Sequence, residues 1–193
     1  MKKLLAAALT IAILAAAATP AFATTVFGDT AFRPALTRGQ AVAVLYKAAR
    51  ADGIESSFIV KNSEEIQYPF ADVGSSNELN AIFWASSNGI INGYPDGTFR
   101  PNQPISRDEL AVLIAKFLGY ESWATENGGY ATYELDQFAA MDMAEWALPY
   151  FAHIADIVAA TPYDHDTGDT AAYVAALIAT GIEMGYPAHL IVL

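Results

Sequence analysis

The stretch GYPDGTFRPNQPISRDELAVLIAKFLGY, residues 93–120, contains a turn, a helix start and an amphipathic helix in direct succession. Pro95 fixes φ at the second turn position, and Asp96-Gly97 supplies residues that tolerate turn geometry. Ser106 and Glu109 form an S-x-x-E capping box, which predicts a helix beginning at Ser106. Arg107 fits neither role. A cation in the first turn opposes the helix dipole at a cost of about 0.3–1 kcal/mol when exposed. Its presence asks either for a surface partner, such as Asp108, Asp96 or Glu109, or for an anionic ligand.

The same pattern occurs earlier in the chain. FRPALTRGQAVAVLYKAA, residues 32–49, repeats FRPNQPISRDELAVLIAKFL, residues 99–118, with two residues fewer before the cap. Thr37 and Gln40 form a T-x-x-Q box, and Arg38 stands where Arg107 stands. Ala41, Val44, Leu45 and Ala48 align with Leu110, Leu113, Ile114 and Phe117, the spacing of a buried helix face. Lys47 and Lys116 coincide on the opposite face. Upstream of the second copy, residues 70–94 read as a loop and then a helix. That helix turns Leu79, Ile82 and Phe83 inward and closes at Asn88-Gly89. Each full unit is therefore helix, turn, helix.

A worn third unit follows. Residues 138–158 parallel the helix after Phe70, with Pro149 in a first turn or at a kink. Residues 169–186 parallel a second helix that lacks both the arginine and the Glu/Gln reply. GIEMGYP, 181–187, also resembles GIINGYP, 89–95, so the last helix either ends a degenerate third unit or supplies the half missing from the first. Residues 51–69 and 121–137, rich in polar and turn residues, read as linkers. The expected organisation is a leader at 1–23, a partial unit at 24–60, a complete unit at 61–120 and a degenerate unit at 121–193.

Lys2-Lys3, the apolar run from Leu4 to Ala18 and Ala21-Phe22-Ala23 have the three parts of a secretory leader, which puts the first mature residue at Thr24. No later apolar run is long enough to span a bilayer. There is no cysteine, so an exported chain of this size relies on packing rather than disulfides. All ten Lys and Arg lie at or before Lys116, whereas the acidic residues continue to Glu183, and the chain carries a net charge of −11. Such a field disfavours nucleic acid and anionic lipid, so an anionic ligand must be held by local geometry in the first part of the chain.

These residues resemble the S-layer homology family. The likeness lies in Phe70-Ala71-Asp72-Val73, Trp84-Ala85, Gly89 to Gly93, Pro95 to Phe99, Pro101, and Ile105 to Glu109, the last five standing at the family's I-T-R-A-E signature. The resemblance implies an all-α fold: helix-loop-helix units in a pseudo-threefold bundle, with short turns and at most minor β bridges. It implies a non-catalytic, exported protein of the bacterial cell wall or surface. The implied partner is a secondary cell-wall polysaccharide, commonly pyruvylated and linked to peptidoglycan, and no cofactor is implied. Carried over by position, Arg107 and Arg38 contact the ligand, Ser106 and Thr37 cap the helices, and Asp96, Gly97 and Trp84 shape the neighbouring groove. A free first-turn N–H beside a guanidinium suits a carboxylate. The third unit lacks its arginine, so at most two grooves are equipped.

Rival chemistry is sparse. Asp164, Asp166 and Asp169 offer hard oxygen ligands for a metal and, with it, a metal-assisted hydrolase, yet they lack the full series of a calcium loop and suit an acidic helix cap better. His153, in an apolar helix, reads as a core histidine. Neither a nucleophile elbow nor a phosphate loop is present. A structural protein that has lost sugar affinity, working through self-association or an envelope protein partner, is the other alternative.

Overall fold

The computed structural model describes residues 36–51, 68–138, 142–161 and 169–187. The leader, most of the first expected linker, Asp164 and Asp166 lie outside them. The described residues are mostly helical and form no sheet, as the repeated capped patterns predict. An isolated antiparallel bridge joins Thr37 to Pro104. The helices are α1 (Arg38–Ala51), α2 (Leu79–Ser87), α3 (Arg107–Phe117), α4 (Tyr120–Asn127), α5 (Thr132–Leu135), α6 (Leu148–Ala160) and α7 (Thr170–Glu183). α1 packs on α2 and α7, α3 packs on α6, and α6 packs on α7.

Both capping boxes form. Ser106 Oγ accepts from Glu109 N while Glu109 Oε2 accepts from Ser106 N. Thr37 and Gln40 make the same reciprocal pair at the start of α1. On α3 all four expected inward residues are buried. α1 differs: Ala41 and Leu45 are buried as expected, but Val42 and Ala49 are buried in place of Val44 and Ala48, which sit partly exposed. Two neighbours, α2 and α7, cover α1 from different sides and widen its apolar stripe. α2 is corrected likewise. Trp84, fully buried, takes the inward place given to Phe83, with its ring 5.3 Å from Tyr46 and 6.2 Å from Phe117. Deep burial of so large a ring makes Trp84 the anchor of the α1–α2–α3 contact.

The expected linker at 121–137 is instead largely helical. The chain turns at Gly119, φ 84°, and enters α4 at once. Its composition misleads because α4 buries little besides Tyr120, and the helix is held by contacts distant in sequence. Tyr120 lies 4.4 Å from Tyr150 and Trp123 5.4 Å from His153, ring centre to ring centre. Lys116, far from being a free surface cation, pairs with Glu121 at 3.2 Å, whereas Lys47 is exposed.

Pro149 sits in the first turn of α6, where its missing N–H costs nothing. Asp169 caps α7, its Oδ1 accepting from Ala172 N at 3.0 Å. The two similar strings at 89–95 and 181–187 adopt different backbones. Gly89 leaves its helix with φ 67°, whereas Gly181 lies inside α7 and the positive φ falls at Gly185. A Cβ on Gly181 would stand 2.8 Å from Leu118 Cδ1, so close packing against α3 fixes that glycine.

His153 of α6 is 5% exposed and sits among the rings of Tyr120, Trp123 and Tyr186, with Nε2 3.3 Å from Leu118 O. Asp156, which accepts from the Tyr186 hydroxyl at 2.7 Å, is the nearby anion. Desolvation pushes the His153 pKa below its ordinary 6.5, outweighing the opposite pull of Leu118 O and Asp156. Protonation therefore favours the unfolded chain. The stability this group contributes is present above pH 6.5 and lost as pH falls below it. Thermal unfolding followed by circular dichroism should show the melting temperature falling between pH 7 and pH 5 in the parent chain, and falling less in His153→Gln.

Candidate functional site

The loop that precedes α3 is fixed by two carboxylates. Asp72 accepts from Phe99 N and Arg100 N, both at 2.8 Å, and so holds Arg100 at φ 59°, a left-handed conformation uncommon for a side-chain-bearing residue. Asp96 accepts from the Thr98 N–H and hydroxyl and pairs with Arg100 at 2.9 Å. Those bonds, Thr98 first and Arg100 next, hold the Asp96 carboxyl down to about 2. Gly97 takes φ 79° in the turn the sequence predicts. Gly93 is required by proximity, since a Cβ there would lie 2.4 Å from the Phe70 ring.

Arg38 brings the two repeats together. Its guanidinium lies between the rings of Tyr94, 4.8 Å, and Phe99, 4.7 Å, while Nε donates to Phe99 O and Nη1 donates to Glu109 Oε1. The Tyr94 hydroxyl donates to the same carboxylate oxygen, and Arg100 stacks over the Tyr94 ring at 3.9 Å. Glu109 thus serves two structures at once: one oxygen completes the capping box of α3 and the other receives Arg38. The first-turn N–H groups of α1 are taken as well, Arg38 N by Gln103 O and Gly39 N by Pro101 O, both at 2.9 Å. The free N–H groups expected beside Arg38 are therefore occupied by protein, and Arg38 itself is 9% exposed.

Arg107 makes the corresponding link to the third segment. Nη2 donates to Asp142 O at 2.8 Å and lies 3.7 Å from Asp142 Oδ2, a carboxylate that is 83% exposed. Beside it, Asp108 Oδ2 accepts from Ala144 N at 3.4 Å. The structure gives Arg107 the main chain and side chain of Asp142 as partners, in a segment whose approach is not legible locally. Ser106 and Thr37 cap as predicted. Trp84 is fully buried in the core.

A recess of about 130 Å³ opens between residues 90–92 and α3. Arg38, Asn92, Glu109, Lys116, Leu113 and Trp146 are among its lining residues. Trp146 is 56% exposed. It belongs to the short 3₁₀ turn Glu145–Ala147, directly after the residues that Arg107 and Asp108 hold. The sequence reading passed over Trp146 because only the long-range contact of α3 with residues 142–144 brings it to this recess.

Residues 69–111 match the family model of the S-layer homology domain. It is 35% identical over 95 residues to cell surface glycoprotein 1 of Acetivibrio thermocellus, covering 48% of this chain and 4% of the relative. It is 34% identical over 84 residues to the cellulosome-anchoring protein of the same organism, covering 43% of this chain and 17% of the relative. Over 39 residues it is 51% identical to the outer membrane protein SlpA of Deinococcus radiodurans, covering 20% of this chain and 3% of that protein. The chain thus spans only a small part of each relative. No solved structure matches.

Replacing Arg38 removes the cation facing Glu109, leaving that carboxylate only the Tyr94 hydroxyl and Ser106 N, and removes one of the two guanidinium groups on the Tyr94 ring. Arg38→Ala should cost about 3 kcal/mol in urea unfolding, the low end for breaking a buried ion pair because this one is only partly screened from water. Arg38→Lys should recover little of it, lacking the planar fork that binds and stacks together.

Proposed function

We propose that this chain is a non-catalytic envelope-binding protein, exported and held at the bacterial cell surface by a secondary cell-wall polysaccharide, anionic and pyruvylated. The observation that carries the proposal is the match over residues 69–111, a segment in which loop, cap and arginine are all present in one ordered unit. The names of two relatives, a surface glycoprotein and an anchoring protein, support a role at the envelope. Among the described residues no helix is long and apolar enough to cross a membrane, which agrees with attachment through a binding domain.

Arg107 is the residue we assign to the polymer's carboxylate. Its side chain is 16% exposed, and its bond to Asp142 O leaves the facing anion, the 83% exposed Asp142 carboxylate, at 3.7 Å, longer than a close charge-assisted bond. An anionic ligand can displace that carboxylate and use the same guanidinium at the helix start, where the dipole favours negative charge. Ser106 keeps the helix start in place. Asp96 and Gly97 shape the turn that carries Tyr94 and Phe99, and Arg38 with Thr37 supports the site from behind.

The test is co-sedimentation of the exported chain with cell-wall sacculi of its host, before and after chemical removal of the secondary polysaccharide. Binding is expected to disappear with the polysaccharide. Arg107→Ala should weaken it about tenfold, one charge-assisted contact, while the variant still unfolds cooperatively. Equal binding by parent and variant would remove Arg107 from the site.

A further inference from the structure

We propose that the turn after α7, residues 184–187, is an acid-released latch: it is closed over His153 while that imidazole is neutral, and it undocks ahead of the rest of the fold when His153 takes up a proton. The turn covers the corner where α3 meets α4. Pro187 lies so near this corner that a Cβ on Gly119 would stand 2.7 Å from Pro187 O. Tyr186 sets its ring edge-on to His153, 5.3 Å between centres, and its hydroxyl donates to Asp156 Oδ1 at 2.7 Å. His153 Nε2 is 3.3 Å from Leu118 O, the carbonyl that joins Gly119, so Nε2 carries the hydrogen and Nδ1 is the basic nitrogen. Helix α6 therefore holds the latch through Asp156 and the corner beneath it through His153.

A proton arriving at Nδ1 puts charge where little can solvate it. Around the buried imidazole α4 presents the rings of Tyr120 and Trp123, α3 the Leu118 carbonyl and the latch Tyr186. Asp156, on its own helix, is the nearby anion, and Tyr130 lies near both Asp156 and Glu134 of α5. The other charges on neighbouring elements are turned away or engaged. Glu183 of α7 and Glu145 of the turn before α6 are exposed, Lys116 pairs with Glu121, which also receives the Tyr150 hydroxyl, and residues 107–109 are at the far end of α3 from Leu118. Burial raises the phenols of Tyr120, Tyr130, Tyr150 and Tyr186 above their ordinary 10.0, so they stay neutral. Water therefore has to reach the imidazolium, and the covers differ in how firmly they are held. Tyr120 and Trp123 belong to a helix, whereas the latch is docked by one hydroxyl bond and the contact of Pro187 with Gly119. Such a segment opens at a lower free energy than the whole fold. Opening also frees Asp156, three residues along α6 from His153, to pair with the imidazolium. The closed form binds the proton more weakly than the open form, whose His153 has the ordinary 6.5, so closure is favoured above pH 6.5 and weakens as pH falls below it.

The experiment is hydrogen exchange of the full exported chain at pH 7 and pH 5, read by mass spectrometry and corrected for the intrinsic pH dependence of exchange. The amides of Met184, Gly185 and Tyr186, all hydrogen-bonded in the closed turn, are the ones that follow the latch. Their opening should rise by up to about tenfold per pH unit below 6.5, the limit for one coupled proton, while the amides of α6 keep their protection. His153→Gln, which keeps a donor for Leu118 O, should flatten this pH dependence. Tyr186→Phe keeps the ring but loses the bond to Asp156, so its turn should open faster already at pH 7. Equal exchange of residues 184–186 at both pH values in the parent would overturn the latch. So would an acid response retained in full by His153→Gln, or opening of α6 to the same extent as the turn, since His153 would then be coupled only to unfolding of the whole fold.

Discussion

The Arg38 guanidinium, stacked between Tyr94 and Phe99 and bonded to Glu109, is the interaction on which the arrangement of the repeats depends. It joins the first turn of α1 to the loop and the helix start of the next unit, 61 and 71 residues further along the chain. Cation–π contacts of this kind are worth about 0.5 kcal/mol when exposed and about 2 when desolvated, and here two rings share one cation that is 9% exposed. The backbone reinforces the same junction, since Ile105 N donates to Leu36 O and two carbonyls of the loop take the first N–H groups of α1. With no disulfide anywhere in the chain, a polar junction of this density gives the repeats a fixed register that apolar packing alone specifies less sharply.

The penalty for an arginine in a helix's first turn is thus met twice, each time by a long-range partner. Arg38 reaches the loop and cap of the second unit, and Arg107 reaches the main chain of the third segment. The two uses are not equivalent. Arg38 is closed in by rings and a carboxylate that is 23% exposed, while Arg107, itself 16% exposed, faces the 83% exposed carboxylate of Asp142. Two arginines at equivalent positions of a repeated sequence thus make different long-range links.

Much of the fold was legible in the sequence because its signals are local. Capping boxes at Thr37 and Ser106, the Asp96-Gly97 turn, Pro149 in a first turn and the buried stripe of α3 each depend on residues within one or two turns. What escaped is set by neighbours distant in sequence. Trp84 displaced Phe83 inward because Tyr46 and Phe117 flank it, and α4 formed in an expected linker because Tyr120 and Trp123 find the rings of Tyr150 and His153 on α6. The candidate site divides in the same way: the arginines and caps announce themselves by recurrence, whereas the approach of residues 142–144 to Arg107 and Asp108 does not.

The central claim, that Arg38 and Glu109 act as one unit joining the repeats, is tested most directly by a double-mutant cycle. Arg38→Met, Glu109→Gln and the combined variant would each be measured by urea unfolding. Coupling of more than about 1.5 kcal/mol between the two substitutions is the predicted result, in the upper part of the range for residues in one network. Additive losses, with coupling below about 0.3 kcal/mol, would contradict the account and leave the repeats held by apolar packing alone.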